Sequence, residues 1–419
     1  MNNNWKKQFG IIYAGQAFSL LGSSAVQFSI IWWLTVETNS ALMLSLSTIA
    51  AFLPFLLFGS LAGVIIDRKN RKTIMICADG LVALTSVALG LAFLILNKPP
   101  IWFIFVILFF RGLGSAFHSP AIQAAIPTLV PIDMLTKANG WSSLVISLSS
   151  MLGPVLGAAL MAALPIASIM LVDILGAIFA IVCLLFVNIP KVISEHLESN
   201  FSRDFKEGFA ALKANKPLWR IFFPILLIDL LFMPLGSLYP LLVKAHYSGT
   251  AWHNSIVEFV FAGGMLISSL ILGVWGGMKR RFLMISLATV TVGIATLIGG
   301  ALPSEGFPAF VICCFFMGAM VSFMNVPLIS YIQETIPPDM MGKVLSIQIT
   351  ATTLIMPLGL LLGGLVGEEI GLNKWFFWSG VIMIFVGMLS RFLTRKYDHL
   401  TMLPEKKTNV IDSAEGTRL

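Results

Sequence analysis

Charge is what this chain has least of. Only 11% of its 419 residues are Asp, Glu, Lys or Arg, against about 25% in soluble domains. Hydrophobic residues make up 57%. No soluble fold of this length has interior enough to hide that much apolar surface, so the composition excludes a water-soluble globule and leaves a polytopic membrane protein. Cysteine is also scarce. Cys77, Cys183, Cys313 and Cys314 all lie in apolar runs, without CxxC or Cys/His spacing, and are expected to be packed, reduced core residues. The five histidines (His118, His196, His246, His253, His399) are scattered and HExxH is absent, which speaks against a metal-dependent enzyme. No GxxxxGK[ST] loop exists, which argues against ATP hydrolysis. No metal, cofactor or enzymatic activity is expected. The net charge of +7 sits in short loops and tails, where it reports membrane topology and not nucleic-acid binding.

A spanning helix needs roughly 20 mostly apolar residues. Twelve runs qualify: about 9–34, 42–66, 73–96, 101–125, 138–162, 167–188, 218–243, 254–277, 282–302, 307–332, 342–366 and 374–394. The first is too long for a signal-peptide core and follows Lys6 and Lys7, so it reads as a retained span. Pro54, Pro154, Pro234, Pro327 and Pro357 fall inside runs, where kinks are expected. With the N-terminus in the cytoplasm, the outer loops hold only Lys98, Lys244 and Lys374 of the 27 Lys and Arg residues. Arg111 falls within the membrane and the rest are cytoplasmic. That distribution obeys the positive-inside rule and predicts both termini in the cytoplasm.

The runs also repeat. A shift of 206 residues carries Gly112, Phe117, Pro131, Asp133, Met134 and Lys137 onto Gly318, Phe323, Pro337, Asp339, Met340 and Lys343. The expectation is an all-α membrane protein of twelve transmembrane helices in two parallel six-helix bundles. Residues 1–190 and 218–396 would be the bundles. Residues 191–217 would be a cytoplasmic linker whose stripe of Phe201, Phe205, Phe209 and Leu212 lies at the membrane surface. Residues 397–419 would be a polar, poorly ordered cytoplasmic tail.

Polar residues inside the runs are the candidates for chemistry. Arg111, near the middle of span 4, costs about 2.5–3.5 kcal/mol to insert, so it should face a polar space and have a partner. Ser115 and His118 follow on its face. Asp79, Asp173 and Asp229 lie in spans 3, 6 and 7. A carboxylate that ionises in one state and protonates in another is what proton antiport needs, and Asp229 and Asp173 are the first choices, with Arg111 modulating one of them. Static ion pairing is the alternative for each. Gln16, Ser23 and Gln27 form one stripe on span 1 that would face a central cavity, with Ser322 and Asn325 at the matching position of span 10. Trp32, Trp33, Phe232, Met233, Tyr239, Met265, Phe323 and Met324 could make a pliable apolar site.

Gly63-x-x-x-Asp67-Arg68-x-Asn70-Arg71-Lys72 resembles the signature loop between spans 2 and 3 of the major facilitator superfamily, with Asn70 where Gly is usual. The resemblance implies a cytoplasmic latch, in which Asp67 sits near the start of span 11 around Gly342 while Arg68 and Arg71 reach Asp133. Gly140-x8-Ser149-x3-Gly153-Pro154-x-x-Gly157-Ala158 resembles the span 5 motif of drug/proton antiporters, with Ser and Ala replacing two of its glycines. Arg111-Gly-x-Gly114-x-Ala116 matches a family arginine tied to proton coupling. Over residues 5 to about 395 the chain is similar to the macrolide-efflux group, through Tyr13-Ala-Gly-Gln16-Ala17, Cys77-Ala-Asp79, Gly114-Ser-Ala-Phe117-His118-Ser-Pro120-Ala121 and Val172-Asp173-x-Leu-Gly176-Ala177. The resemblance implies a monomeric secondary exporter in a bacterial plasma membrane that exchanges protons for macrolides or similar bulky amphiphilic drugs. A siderophore or metabolite exporter, a nontransporting receptor and a membrane-embedded enzyme stay open as alternatives.

Overall fold

The computed structural model of the protein describes residues 4–189 and 201–401. Expectations placed on residues 190–200, on the tail from 402, and on the Asp67 and Asp339 carboxylates lie outside the described residues. Lipid offers backbone groups no partners, so each apolar run satisfies its own as a helix. The helices are α1 (Asn4–Thr38), α2 (Ala41–Arg68), α3 (Arg71–Leu96), α4 (Ile101–Leu129), α5 (Leu135–Ala163), α6 (Ile166–Leu185), α7 (Phe201–Ala214), α8 (Lys216–Ala245), α9 (Ala251–Trp275), α10 (Arg281–Ala301), α11 (Phe307–Thr335), α12 (Pro338–Ile370) and α13 (Leu372–Thr394). All but α7 are long and apolar enough to cross a membrane, twelve in total. Several overshoot the apolar runs: α1 has 35 residues, or about 52 Å, against a hydrocarbon core of about 30 Å.

The twelve spans form two six-helix groups. In the first, α1 packs on α5 and α6, α2 on α4, and α3 on α4 and α6. In the second, α10 packs on α11 and α13, α9 on α11, and α8 on α12 and α13. The sequence repeat has a physical basis. Gly112 of α4 presses on the Ala51 carbonyl of α2, and its counterpart Gly318 of α11 presses on the Phe261 carbonyl of α9. A Cβ at either position would collide with backbone, so both halves need glycine at the same crossing.

Three expectations change. α7 does not lie free at a surface: Leu212 is buried in the second half's core with Leu218, Ile221 and Val344, and Lys343 donates to Glu207 at 2.5 Å. Phe205 and Phe209 stay exposed. The first residues of the tail dock back as a 3₁₀ turn. Arg391 donates to Asp398 at 2.6 Å, and the Arg220 guanidinium sits 5.3 Å from the Tyr397 ring. Among the cysteines only Cys313 and Cys314 are buried, and Cys77 is exposed on α3.

The two groups meet through α2 against α12 and α5 against α9. Among the described residues, the hydrogen bonds between them lie at the end away from the basic loops. Glu368 accepts from Ser40 Oγ at 2.8 Å and from the Leu42 amide at 3.0 Å. Lys244 donates to the Thr35 and Val36 carbonyls at 3.4 and 3.1 Å. Gly364 lies on Leu42 and Ser45 there. At the basic end, Gly63 and Gly342 each face open space. Gly364→Leu is therefore expected to wedge α2 from α12. Cysteine labelling of the cavity from the Gly364 side should rise at least severalfold over the parent, and an unchanged rate would contradict this packing.

Candidate transport site

Arg111 and Asp173 form the most buried charge pair, with 6% and 0% of their surfaces exposed. Both carboxylate oxygens of Asp173 are engaged. Its Oδ2 accepts from Arg111 Nη1 and from Ser86 Oγ at 2.6 Å, and its Oδ1 accepts from Ser23 Oγ at 2.5 Å. Arg111 Nη1 also donates to Ser86 Oγ at 2.9 Å, and Nη2 reaches the Ser23 carbonyl at 3.3 Å. Arg111 Nε has no acceptor. Four helices, α1, α3, α4 and α6, thus converge on one carboxylate. A planar fork with several donors suits this better than an ammonium. Of the candidate acids, Asp173 is the one that Arg111 contacts.

A second cluster lies within the same half. Asp79 of α3 is buried, and its Oδ1 stands 3.5 Å from His118 Nε2, too far for a good hydrogen bond. Asp79 Oδ2, His118 Nε2 and both polar atoms of Gln16 lack partners, although the Gln16 carboxamide lies beside Asp79. His118 therefore turns to Asp79 and not to the arginine with which it shares a helix face. Gln16 is 1% exposed and does not line the central cavity. The stripe expectation fails there because the cavity touches α1 only from Ser24 to Ile31, while Gln16 sits where Asp79 packs against it.

The central cavity holds about 680 Å³ and draws its walls from both halves. Ser24, Gln27 and Phe28 of α1, Pro154 of α5, Phe232, Met233 and Tyr239 of α8, and Glu258, Phe261 and Met265 of α9 face it. Pockets that take drug-sized ligands measure about 300–1,000 Å³. An adjoining chamber of about 470 Å³ shares Ser24, Gln27, Ala51 and Ser150 with it and reaches Ser23 and Arg111. Gln27 and Phe232 are among the residues that face the central cavity. Asn325 is not: it is exposed and its amide folds back onto the Val321 carbonyl at 3.1 Å. Trp32 packs with Phe28 and Ala158, and Trp33 stands against Phe93.

Asp229 lies apart from these clusters. Its Oδ2 accepts from Thr352 Oγ1 at 3.2 Å, tying α8 to α12, and it touches neither Arg111 nor Asp173. Glu258 escaped the sequence reading. It stands only five residues into its run, where a carboxylate reads as the end of a span. Asn254 one turn earlier was the available signal: its Nδ2 donates to Glu258 Oε1 at 2.8 Å.

The basic loop is used differently from the latch expectation. Asn70 caps α3 through a 3.0 Å bond from the Lys72 amide, which accounts for Asn in place of Gly. Arg71 donates to the Ala124 carbonyl near the end of α4 at 2.9 Å, not to Asp133. Lys72 donates to the carbonyls of Leu185, the last residue of α6, and Val187 just beyond it at 3.1 and 2.8 Å. Cations at helix C-termini meet the negative end of the dipole, whereas Asp133 is exposed and water competes for it. Arg68 is exposed as well. In the span 5 motif, Gly153 and Gly157 press on Ser24 through Phe28 of α1, while Gly140 meets nothing. Pro154 is buried beside the two packed glycines and lines the cavity.

Two helical bundles hydrogen-bonded to each other at one end and enclosing a drug-sized cavity beside buried charge define a solute transporter of the major facilitator type. The chain matches the Transmembrane secretion effector family over residues 5–414. It is 39% identical to macrolide efflux protein A of Streptococcus pyogenes across 92% of this chain and 96% of that one. It is 38% identical to macrolide efflux protein A of Enterococcus faecalis across 77% of this chain and all of that one. Its fold matches an inward-facing, unoccupied bacterial homologue of the lysosomal transporter Spinster, with a TM-score of 0.74, 12% identity and coverage of 95% and 98%. The chain belongs to the Transmembrane secretion effector family of major facilitator transporters. It is a multi-pass efflux transporter of a bacterial plasma membrane.

Proposed function

We propose that the protein exports macrolides or similar bulky amphiphilic drugs in exchange for protons, by alternating access, with its basic end and both termini in the cytoplasm. One observation carries the coupling. Ser23 donates to Asp173, while Ser24 beside it and Gln27 one turn on line the cavity. A change of protonation at the acid cluster therefore acts on the helix that touches substrate. Asp173 has both oxygens engaged by Arg111, Ser23 and Ser86 and its charge balanced by Arg111, so it takes up a proton when Arg111 lets go. Asp79 has a free oxygen and is the natural first acceptor. Asp229, on the α8–α12 contact, is the acid of the second half.

A conformation open at the basic end would load drug from the cytoplasm, and the open space beside Gly63 and Gly342 supports that reading. In the opposite state Gly63, Asp67, Arg68 and Arg71 would close that end with Asp133, and the Glu368 and Lys244 bonds would part. A protonmotive force of about 150 mV supplies about 3.5 kcal/mol per proton. That supports roughly a 300-fold gradient of a neutral drug. The similarity to two macrolide efflux proteins favours a macrolide over a siderophore as substrate.

The test is accumulation of labelled erythromycin in a pump-deficient bacterial host. Expressing cells are expected to hold several-fold less drug than empty cells, and an uncoupler should erase the difference. Equal accumulation in both would end the macrolide reading. Efflux that persists after uncoupling would end the proton reading. For Asp229, the readout is drug-driven proton movement in Asp229→Asn: full retention removes it from the coupling set.

A further inference from the structure

We infer that Glu258 is the residue that selects cationic over neutral amphiphiles in the central cavity. The inference rests on reading that cavity as the substrate site, and it goes on to assign the charge of the ligand and the group that recognises it.

Glu258 faces the cavity, and none of the lining residues is Lys, Arg or His. The nearby cation, Arg111, lines the adjoining chamber and is committed to Asp173. Among the described residues Asn254 is the only hydrogen-bond partner of Glu258, and it holds one oxygen. Asn254 is itself 1% exposed, so it anchors the carboxylate from behind and leaves Oε2 for the cavity. A half-buried acid without a counter-ion is costly, and a cation that enters offsets the cost.

The surroundings fit an organic cation and not a metal ion. Phe232, Tyr239 and Phe261 line the same space, with the Phe261 ring centroid 6.3 Å from each of the other two. Phe28 faces them from the other half. Aromatic faces attract ammonium and related cations while also taking up apolar bulk, whereas a hard metal ion needs several oxygen ligands. One carboxylate among rings therefore recognises a large lipophilic cation, such as a drug carrying a protonated amine.

The experiment is equilibrium binding to the purified full-length protein in detergent. The probes are tetraphenylphosphonium, a permanent cation, and triphenylphosphine oxide, its uncharged aryl relative. The parent protein is expected to bind the cation at least tenfold more tightly than the oxide. Glu258→Gln, which keeps size and the Asn254 contact, should weaken cation binding about thirtyfold, the lower range for truncating one partner of a desolvated charge pair. It should leave the oxide unchanged. Glu258→Asp should recover part of the loss. The inference is overturned if Glu258→Gln binds the cation like the parent, if it loses both probes equally, or if the parent shows no preference. The parent comparison needs no variant to fold. Glu258-dependent cation binding without erythromycin efflux in cells would defeat the macrolide reading and leave this inference standing.

Discussion

Arg111→Ala is expected to destabilise the protein by about 3–5 kcal/mol and to abolish export. The variant leaves Asp173, with no exposed surface, facing two hydroxyls and no positive charge, and an uncompensated buried charge carries a penalty of that size. Arg111→Lys should also fail. An ammonium is a single point and cannot reproduce the two-nitrogen fork, whose Nη1 meets Asp173 and Ser86 while Nη2 reaches the Ser23 carbonyl. The informative variant removes both charges. Arg111→Met with Asp173→Leu is expected to regain most of the lost stability, since buried pairs are often replaceable by packed apolar groups. Export should stay absent. Thermal unfolding in detergent and drug transport in proteoliposomes are the two measurements. A double variant that pumps at the parent rate would make the pair a structural tie and remove it from coupling.

Asp79→Asn is expected to uncouple transport without blocking it. The asparagine keeps the shape beside Gln16 and His118 but cannot take up and release a proton. Concentrative export driven by an imposed proton gradient should fall to the level of vesicles without the protein. Exchange of labelled for unlabelled drug across the same vesicles, which needs no net proton movement, should continue. Gradient-driven export at the parent level in Asp79→Asn would place the proton elsewhere. Loss of exchange as well would mean that the residue holds the fold together.

The spans and their pairing into two halves were legible because lipid imposes one rule on every segment, and length and polarity suffice to apply it. The repeat was legible for a packing reason: Gly112 and Gly318 each sit where two helices touch through backbone. Partners across helices were not. Periodicity gives the face on which Gln16, Ser23 and Gln27 stand, but not what stands opposite at each level. One residue of that stripe therefore meets Asp79, one Asp173 and one the cavity. The family resemblance pairs Arg71 with Asp133, the carboxylate of the loop between spans 4 and 5, because sequence shows charged side chains and hides helix-end carbonyls. Glu258 was missed because distance along a run says little about depth when helices overshoot the bilayer and tilt.

The clasp at the end away from the basic loops has a kinetic consequence. Its acceptors for Lys244 are the last carbonyls of α1, and its donors to Glu368 are a hydroxyl and a backbone amide. Among the described residues neither charged group is matched with an opposite charge, so parting the halves strands no ion against another, and water can take over each bond at little net cost. Such a catch sets a shallow barrier. On the proposed exchange of drug for protons, turnover would then be governed by how often the acid cluster changes its proton and not by the force needed to break the seal. Replacement of Thr35 or Val36 by other helix-forming residues should leave the rate nearly unchanged, because the catch reads their backbone alone.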